Sequence, residues 1–233
     1  MPLLGLTEKD TEKFLQILTD AKECLNCEIG IGGSIAQRAL SPKLTADLRN
    51  QALHDVDLLL IGTTEDSPEL SSLRNKFRVI EIVDSAGWYY GMIHKNTGMP
   101  VDLFTPTTGQ KTRSVIINGE RCEASTLESQ ILYLARDILR RTKNRFPVRK
   151  KWIDKLKTLV QLPAIDWQAL EKEYTDNLDH FSQILPSPYY LPMKVDDFIQ
   201  LAIHQKATSR LKEKLFLIRW FLFSRKTKTA DIR

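Results

Sequence analysis

The hydrophobic period of this chain changes near residue 122, and that change constrains the fold more than any other feature. Before it, short apolar runs typical of strands alternate with helical segments. After it, apolar residues recur at helical spacing, as in Ile131, Leu132, Ala135 and Ile138. A mixed α/β half followed by a helical half predicts two modules, residues 1–122 and residues 123–233.

The first module is predicted to begin with a helix capped by Thr7 and to continue with a short strand over residues 27–32. Helical residues 34–53 follow, and Ser41-Pro42 is expected to break them into two pieces. Further elements are predicted as strands at 55–62, 78–83 and 113–119, a helix from Pro68 to Phe77, and a hairpin of "WYYGMIH" and "PVDLFT" around residues 95–99.

The second module is predicted to contain helices only. Ser125 or Thr126 caps the first of them, and further helices fit residues 148–161, 166–183, 195–207 and 209–225. Residues 185–192 hold three prolines and are expected to form a linker or rigid turn.

The charge of the chain is divided unevenly between the two modules. Of the formal net charge of +5, residues 1–122 contribute −3 and residues 123–233 contribute +8. A dense basic stretch runs from Arg140 to Lys157. Such a stretch favours contact with a polyanion such as RNA or a nucleotide, and the alternative is an ordinary solvated helical surface.

The densest glycine cluster, "GIGG" at residues 30–33, follows the first predicted strand. A dinucleotide fingerprint requires a third glycine where Ile35 stands, and a phosphate-binding P-loop requires a lysine that is absent here. Both motifs are therefore disfavoured, and the glycines need another explanation.

Two carboxylates, Asp55 and Asp57, stand at the start of a predicted buried strand. Residues two apart on a strand point to the same face, so both side chains would project together. Magnesium is bound through one or two carboxylates together with phosphate oxygens of a substrate, so this pair suits a metal–nucleotide site. The alternative is an exposed edge-strand pair or a salt-bridged pair.

A third carboxylate, Asp102, lies between apolar residues on another predicted strand, "PVDLF". If that strand pairs beside residues 55–61, three carboxylates converge, and they could hold two metal ions ~3.5–4 Å apart. The alternative is a solvent-facing residue at a strand end.

These motifs resemble the nucleotidyltransferase superfamily, which has a DNA polymerase beta-like catalytic core. The resemblance rests on Gly32-Gly33-Ser34, then Asp55-Val56-Asp57, then the later apolar-Asp-apolar strand, and it covers roughly residues 7–120. It implies an α+β fold, with a mixed β-sheet core and flanking helices, followed by the helical C-terminal domain.

The resemblance also implies roles for the motif residues. Gly32, Gly33 and Ser34 would contact the triphosphate of a bound NTP such as ATP. Asp55, Asp57 and Asp102 would hold a two-ion Mg²⁺ site, and Asp102 would help to deprotonate the attacking hydroxyl. The implied reaction transfers a nucleoside monophosphate to a hydroxyl of RNA, a protein or a small molecule.

One departure from the superfamily pattern lies between the motifs. Ser34 and Asp55 are separated by 20 residues, which predicts an inserted helix or loop. The insertion and the absence of a recognisable acceptor motif leave an alternative open, a catalytically idle module that binds a protein or nucleic acid.

Other candidate residues are weaker. Cys24 and Cys27 lack enough partners for a zinc site, and three cysteines do not predict a disulfide framework. His54 is expected to face away from Asp55. His94 and Lys95 lie at a hairpin end near Asp102, and an exposed turn lysine is favoured over a phosphate ligand.

The apolar segment "LFLIRWFLF" at residues 215–223 is too short to cross a bilayer and is expected to be a buried helix or a homo-oligomer contact. The absence of a secretory leader and of any longer apolar run predicts a cytoplasmic protein without membrane contact.

Overall fold

The computed structural model describes residues 3–25, 27–47, 52–61, 70–84, 88–104, 110–182, 184, 193–209 and 212. The chain divides into two compact units, Met1–Gln130 and Ile131–Arg233. The division falls after Gln130, inside a helix that begins at Leu127, whereas the predicted boundary is at 122/123.

The first unit alternates helices and strands after a short 3₁₀ helix, Leu3–Gly5. Its elements are α1 Glu8–Cys24, β1 Glu28–Ile31, α2 Gly33–Leu40, α3 Pro42–Asp47, β2 Val56–Ile61, α4 Leu70–Lys76, β3 Phe77–Asp84, β4 Trp88–His94, β5 Pro100–Phe104, β6 Thr112–Ile117 and β7 Glu120–Ser125. The predicted order of helices and strands is confirmed, and β7 is an additional strand that the sequence analysis did not predict.

All seven described strands form one mixed sheet in the order β3-β4-β5-β2-β1-β7-β6. The β2/β5 and β1/β7 pairs are parallel, whereas β1/β2, β3/β4, β4/β5 and β6/β7 are antiparallel. β2 lies near the middle of the sheet, and its residues Leu58, Leu59 and Leu60 are fully buried. This position explains why its apolar run is continuous rather than alternating.

Two helix boundaries of the first unit follow from local sequence signals. The Thr7 hydroxyl accepts a hydrogen bond from the Asp10 amide at 3.1 Å and caps α1. α2 ends at Leu40, and Pro42 begins α3, so the predicted break is confirmed. Phe14 and Ile17 of α1 and Ile35 of α2 join the sheet residues in one core.

The hairpin that joins β6 to β7 turns at Asn118 and Gly119. Their φ angles are +51° and +82°, the left-handed values that a two-residue hairpin turn requires. β7 then pairs in parallel with β1 through Ala124 and Ile31, and this pairing extends the sheet beyond β1.

The described elements of the second unit are helices: the remainder of α5 (Leu127–Lys143), then α6 Lys150–Val160, α7 Trp167–Asp176, α8 Leu178–Ser182 and α9 Val195–Ile203. The predicted helix over residues 166–183 is two helices that meet at Asn177. The predicted linker at 185–192 and all of the predicted helix at 209–225 except residues 209 and 212 lie outside the described residues.

An aromatic cluster forms part of the core of the second unit. The rings of Tyr174, Phe181 and Phe198 lie with their centroids 5.1 to 5.4 Å apart, and all three side chains are buried. Aromatic pairs at this spacing contribute beyond the area that they bury.

Candidate functional site

Two carboxylates and two glycines form one row across the middle of the sheet. Asp57 on β2 pairs in register with Asp102 on the parallel strand β5. Beyond Asp102 the row continues to Gly91 on β4. Beyond Asp57 it continues to Gly32, whose amide donates to the Asp57 carbonyl at 2.9 Å. Register partners share a face of the sheet, so the two carboxylates stand side by side with a glycine next to each.

Gly33 lies against the carboxylate of Asp57. A Cβ atom added to Gly33 would be 1.6 Å from Oδ2 of Asp57, and Gly33 has a φ of +50°. Both the space and the backbone conformation therefore require glycine here. Gly33 is also the first residue of α2, so the carboxylate lies at the positive end of that helix.

Gly32 is constrained by space alone. Its φ is −122°, an ordinary extended value. A Cβ atom would lie 3.3 Å from Cβ of Asp57 and 3.4 Å from Cζ of Phe104. Ser34 follows in the first turn of α2 and is half-buried. The structure thus brings Gly32 and Gly33 into contact with Asp57, whereas the phosphate contacts of Gly32, Gly33 and Ser34 stay predictions.

Asp55 lies just before the first residue of β2 and is half-buried. Because Asp55 is not part of the strand, the strand alternation that would put its side chain beside that of Asp57 does not apply to it, and its place in the site stays a prediction. Within the described residues, which include all three aspartates, no group of three or more His, Cys, Asp or Glu side chains is arranged to hold a metal ion. Convergence of all three carboxylates on two ions stays a prediction.

The adjacent pair Asp57 and Asp102 fits a magnesium ion that arrives with a nucleotide. Parallel strands lie ~4.8 Å apart, so carboxylates on register partners can reach one cation. Mg²⁺ retains water and takes its remaining ligands from substrate phosphates, so a preformed set of three protein ligands is not required. The donor set is all oxygen, which is the chemistry that Mg²⁺ prefers.

The described part of the stretch between Ser34 and Asp55 includes most of α2 and all of α3, which contact each other, and its end contacts α1. The Thr45 hydroxyl of α3 donates to the Arg38 carbonyl of α2 at 2.6 Å. The Leu53 amide donates to Oδ2 of Asp10 on α1 at 3.2 Å. Although 20 residues separate the two motifs, β2 still brings Asp57 against Gly33.

His94 belongs to a buried polar network that sequence reasoning missed. Its ring is fully buried, with Nε2 2.7 Å from Oδ2 of Asp20 and Nδ1 2.8 Å from the Thr97 hydroxyl. Lys76 donates to Oδ1 of Asp20 at 2.8 Å. Burial alone would raise the pKa of Asp20, but the hydrogen bonds from Lys76 and His94 outweigh it and lower that pKa.

Lys95 is an exposed turn lysine, as the sequence analysis favoured. Its ammonium donates to the Arg74 carbonyl at 2.6 Å and to the Asn75 carbonyl at 3.3 Å, so it binds the last carbonyls of α4. His54 is exposed and precedes β2. Neither residue contributes a described contact to the row of carboxylates.

The three cysteines are free thiols. Cys24 and Cys27 are half-buried, and burial raises the pKa of each. Cys122 on β7 is buried, and burial raises its pKa to about 11. A thiol with a raised pKa is a poor nucleophile and a poor metal ligand at neutral pH.

None of the helices in the described part of the chain has the length and apolar character needed to cross a bilayer. The apolar segment 215–223 lies outside the described residues.

Comparison with known proteins gives structural similarities only: no protein-family model and no curated protein matches the chain. An antigenic nucleotidyltransferase-like protein from Paracoccidioides brasiliensis is 14% identical over 78% of this chain and 95% of that one, with a TM-score of 0.39. JHP933 from Helicobacter pylori is 11% identical over 97% and 99%, with a TM-score of 0.37. The antibiotic-resistance factor ANT(2'')-Ia is 14% identical over 94% and 97%, with a TM-score of 0.38.

The name of the Paracoccidioides brasiliensis protein includes nucleotidyltransferase, and so does that of a further similar structure from Helicobacter pylori. The mixed α/β core with its seven-stranded sheet is the kind of fold that the motif resemblance implies. These TM-scores are below 0.5, so the functional proposal for this chain rests on its own sheet and motifs.

Proposed function

We propose that this chain is a Mg²⁺-dependent nucleotidyltransferase that moves a nucleoside monophosphate from an NTP to an acceptor hydroxyl. One observation carries the proposal: Asp57 and Asp102 are register partners, and the backbone of Gly33 lies against the Asp57 carboxylate. A glycine turn at a helix N-terminus suits phosphate groups, and the carboxylates beside it suit their counter-ion.

Each site residue has a role in this proposal. Asp57 and Asp102 bind Mg²⁺ that enters with the triphosphate, and Asp55 completes a second ion position. The Gly32 and Gly33 backbone and the Ser34 hydroxyl contact phosphate oxygens. When bound, Mg²⁺ would neutralise charge on the phosphates and on the leaving pyrophosphate.

The chain's own residues would orient the reaction and accept a proton. The acceptor oxygen forms a bond to the α-phosphorus, and the bond from that phosphorus to the bridging oxygen breaks. Pyrophosphate leaves with the electron pair of that bond. The Asp102 carboxylate takes the hydroxyl proton, so charge and atoms balance. The acceptor classes that remain open are RNA, a protein and a small molecule.

A second candidate is a catalytically idle module with the same fold. It is favoured by the 20 residues between Ser34 and Asp55, which depart from the superfamily pattern, and by the lack of a recognisable acceptor motif. Such a module would bind a protein or nucleic acid and would transfer nothing.

A label-transfer assay separates the two candidates. The protein is incubated with Mg²⁺ and each α-labelled NTP, together with cell extract as the source of acceptors. We expect transfer that falls at least ~100-fold in Asp57→Asn and in Asp102→Asn, because each variant removes a charge that holds the metal–nucleotide. Glu12→Gln is the control, since Glu12 is exposed on α1. No transfer by the wild type from any NTP would favour the idle module.

A further inference from the structure

The basic stretch, residues 140–157, carries nine Lys and Arg side chains and a single acid, Asp154. It comprises the end of α5, a short turn and most of α6. Five of the nine cations are exposed: Lys143, Arg145, Lys150, Lys151 and Lys157. This density alone fits a solvated surface as well as a binding surface, so the placement of individual charges decides between them.

Trp152 holds two arginine side chains of the basic stretch. The guanidinium carbon of Arg141 lies 4.6 Å from the centre of the Trp152 ring, and that of Arg149 lies 5.4 Å from it. Cation–π contact fixes both groups on one half-buried ring. Fixed arginines lose less conformational entropy when they bind phosphate than mobile lysines do.

Arg145 occupies a position that favours glycine. Its φ is +57°, and it follows α5, where the Phe146 amide donates to the Arg141 carbonyl at 2.8 Å. This is the helix-ending arrangement in which glycine is preferred because a side chain strains the backbone. An arginine here opposes stability, and such a residue is a candidate for function.

The first turn of α6 has the wrong charge for helix stability. Arg149 is its N-cap and makes no side-chain cap bond, Lys150 and Lys151 follow, and no acid lies in that turn. Positive charge at a helix N-terminus opposes the helix dipole. Two other helices of the chain follow the stabilising rule, since Asp166 caps α7 and Glu8 lies in the first turn of α1.

From these placements we infer that the basic stretch binds the phosphodiester backbone of single-stranded nucleic acid. Arg140 pairs with Asp137 at 3.4 Å, but the other eight cations still exceed what one triphosphate needs, and a backbone offers many phosphates in sequence. Phe146, 38% exposed in the middle of the stretch, offers a ring on which a base can stack.

A bilayer surface fits the basic stretch less well. The apolar residues of α6, Ile153, Leu156 and Leu159, are buried within the protein and cannot enter a membrane. In this inference the terminal hydroxyl of the nucleic acid is the acceptor; that part rests on the proposed function, whereas binding does not.

The test uses a charge change that should stabilise α6 and weaken nucleic-acid binding. Lys150→Glu/Lys151→Glu places acids in the first turn of α6, so the Tm should rise. Binding of a single-stranded RNA and of the matching DNA, each about 20 nucleotides long, is measured at about 0.1 M salt. Each phosphate contact is worth roughly fivefold there, so affinity should fall at least ~10-fold and the salt slope by ~1.4.

The matched control is Lys172→Glu/Lys194→Glu, which makes the same change in net charge at exposed lysines of α7 and of the α9 N-cap. It should leave affinity within ~3-fold of the wild type, because net charge alone acts weakly at this salt. An equal loss in both double variants, or no loss in either, would overturn the inference.

Arg145→Gly provides an independent check. It relieves the strained backbone, so the Tm should rise while affinity falls ~5-fold. Unchanged affinity would contradict the inference. So would binding to phosphatidylserine vesicles, sensitive to Lys150→Glu/Lys151→Glu, without binding to either nucleic acid.

Binding without NTP and label transfer are measured separately on the same protein. Nucleic-acid binding without transfer to any acceptor removes the proposed function and retains this surface. Transfer to a protein or small molecule without nucleic-acid binding retains the proposed function and removes this surface.

Discussion

Asp57 and Asp102 stand side by side on two parallel strands that are far apart in the sequence. Two adjacent carboxylates repel each other unless a positive group compensates them. The N-terminus of α2, which begins at Gly33 beside Asp57, supplies part of that compensation. A cation bound beside them would add further positive charge, and this pair is therefore the centre of the proposed site.

Gly33→Ala should destabilise the first unit more than Gly98→Ala does, although both glycines have left-handed backbone conformations. Gly33 and Gly98 both have positive φ, +50° and +69°, but only Gly33 lacks room, because nothing lies within 4 Å of a Cβ added to Gly98. Gly98→Ala should therefore cost ~1–2 kcal/mol for the backbone alone, and Gly33→Ala ~2–5 kcal/mol because the clash with Asp57 adds to it.

Urea unfolding of both variants measures these costs, with the midpoint read from the fluorescence of the chain. Equal losses in Gly33→Ala and Gly98→Ala would show that Asp57 does not press against Gly33 in solution.

Gly91→Val, next to Asp102 at the end of the row of carboxylates and glycines, should weaken NTP binding without lowering stability. Gly91 pairs with Asp102 and lies within β4, where valine suits the strand, so stability should hold or rise by up to ~1 kcal/mol. The new side chain would stand beside Asp102 on the same face of the sheet, so NTP binding should weaken at least ~10-fold. Thermal melting and nucleotide titration are the two measurements, and unweakened binding would remove Gly91 from the site.

Asp20→Asn should reveal the buried network through the pH dependence of stability. The pKa of Asp20 in the folded protein lies below its ordinary value of 3.8. Its contribution is therefore complete above about pH 5 and is lost as the pH falls through and below 3.8. Asp20→Asn should cost ~2 kcal/mol near neutral pH, because charged hydrogen bonds to Lys76 and His94 are lost.

The difference between Asp20→Asn and the wild type should shrink as the pH falls toward 3. Unfolding midpoints of the variant and the wild type at pH 7, 5 and 3.5 follow this difference. A difference that stays constant over this range would contradict the ionised Asp20 carboxylate.

Cys122 should resist alkylation in the folded protein. Its pKa is raised to about 11 and its thiol is buried on β7, where it donates to the Ile29 carbonyl at a sulfur–oxygen distance of 3.6 Å. At pH 8 fewer than ~1% of such thiols are ionised. Iodoacetamide labelling with mass spectrometry should modify Cys24 and Cys27 first, and early loss of the Cys122 thiol would contradict the position of β7.

Local sequence signals predicted much of the first unit because they act within a few residues. Thr7 fixes the start of α1, Pro42 separates α2 from α3, and the turn after His94 joins β4 to β5. In the sequence, the pairing of β2 with β5 is only a condition for the carboxylates to meet, and the structure fulfils that condition.

The sequence analysis did not predict features that depend on partners far away along the chain. β7 is polar along much of its length, and its pairing with β1 is visible only in the sheet. The Asn118-Gly119 dipeptide is a local hairpin signal from which β7 could have been predicted. Nothing near His94 in the sequence indicates that Asp20, on α1, receives its hydrogen bond. Gly91 likewise gains its meaning only as a neighbour of Asp102.

Calorimetric titration with a non-hydrolysable ATP analogue tests the central claim most directly. Wild-type protein should bind the analogue in the presence of Mg²⁺ and at least ~10-fold more weakly in EDTA. Asp57→Asn and Asp102→Asn should lose that dependence, whereas Glu12→Gln should keep it. Binding that is equally tight with and without Mg²⁺, and unchanged in both aspartate variants, would contradict a metal–nucleotide site at Asp57 and Asp102.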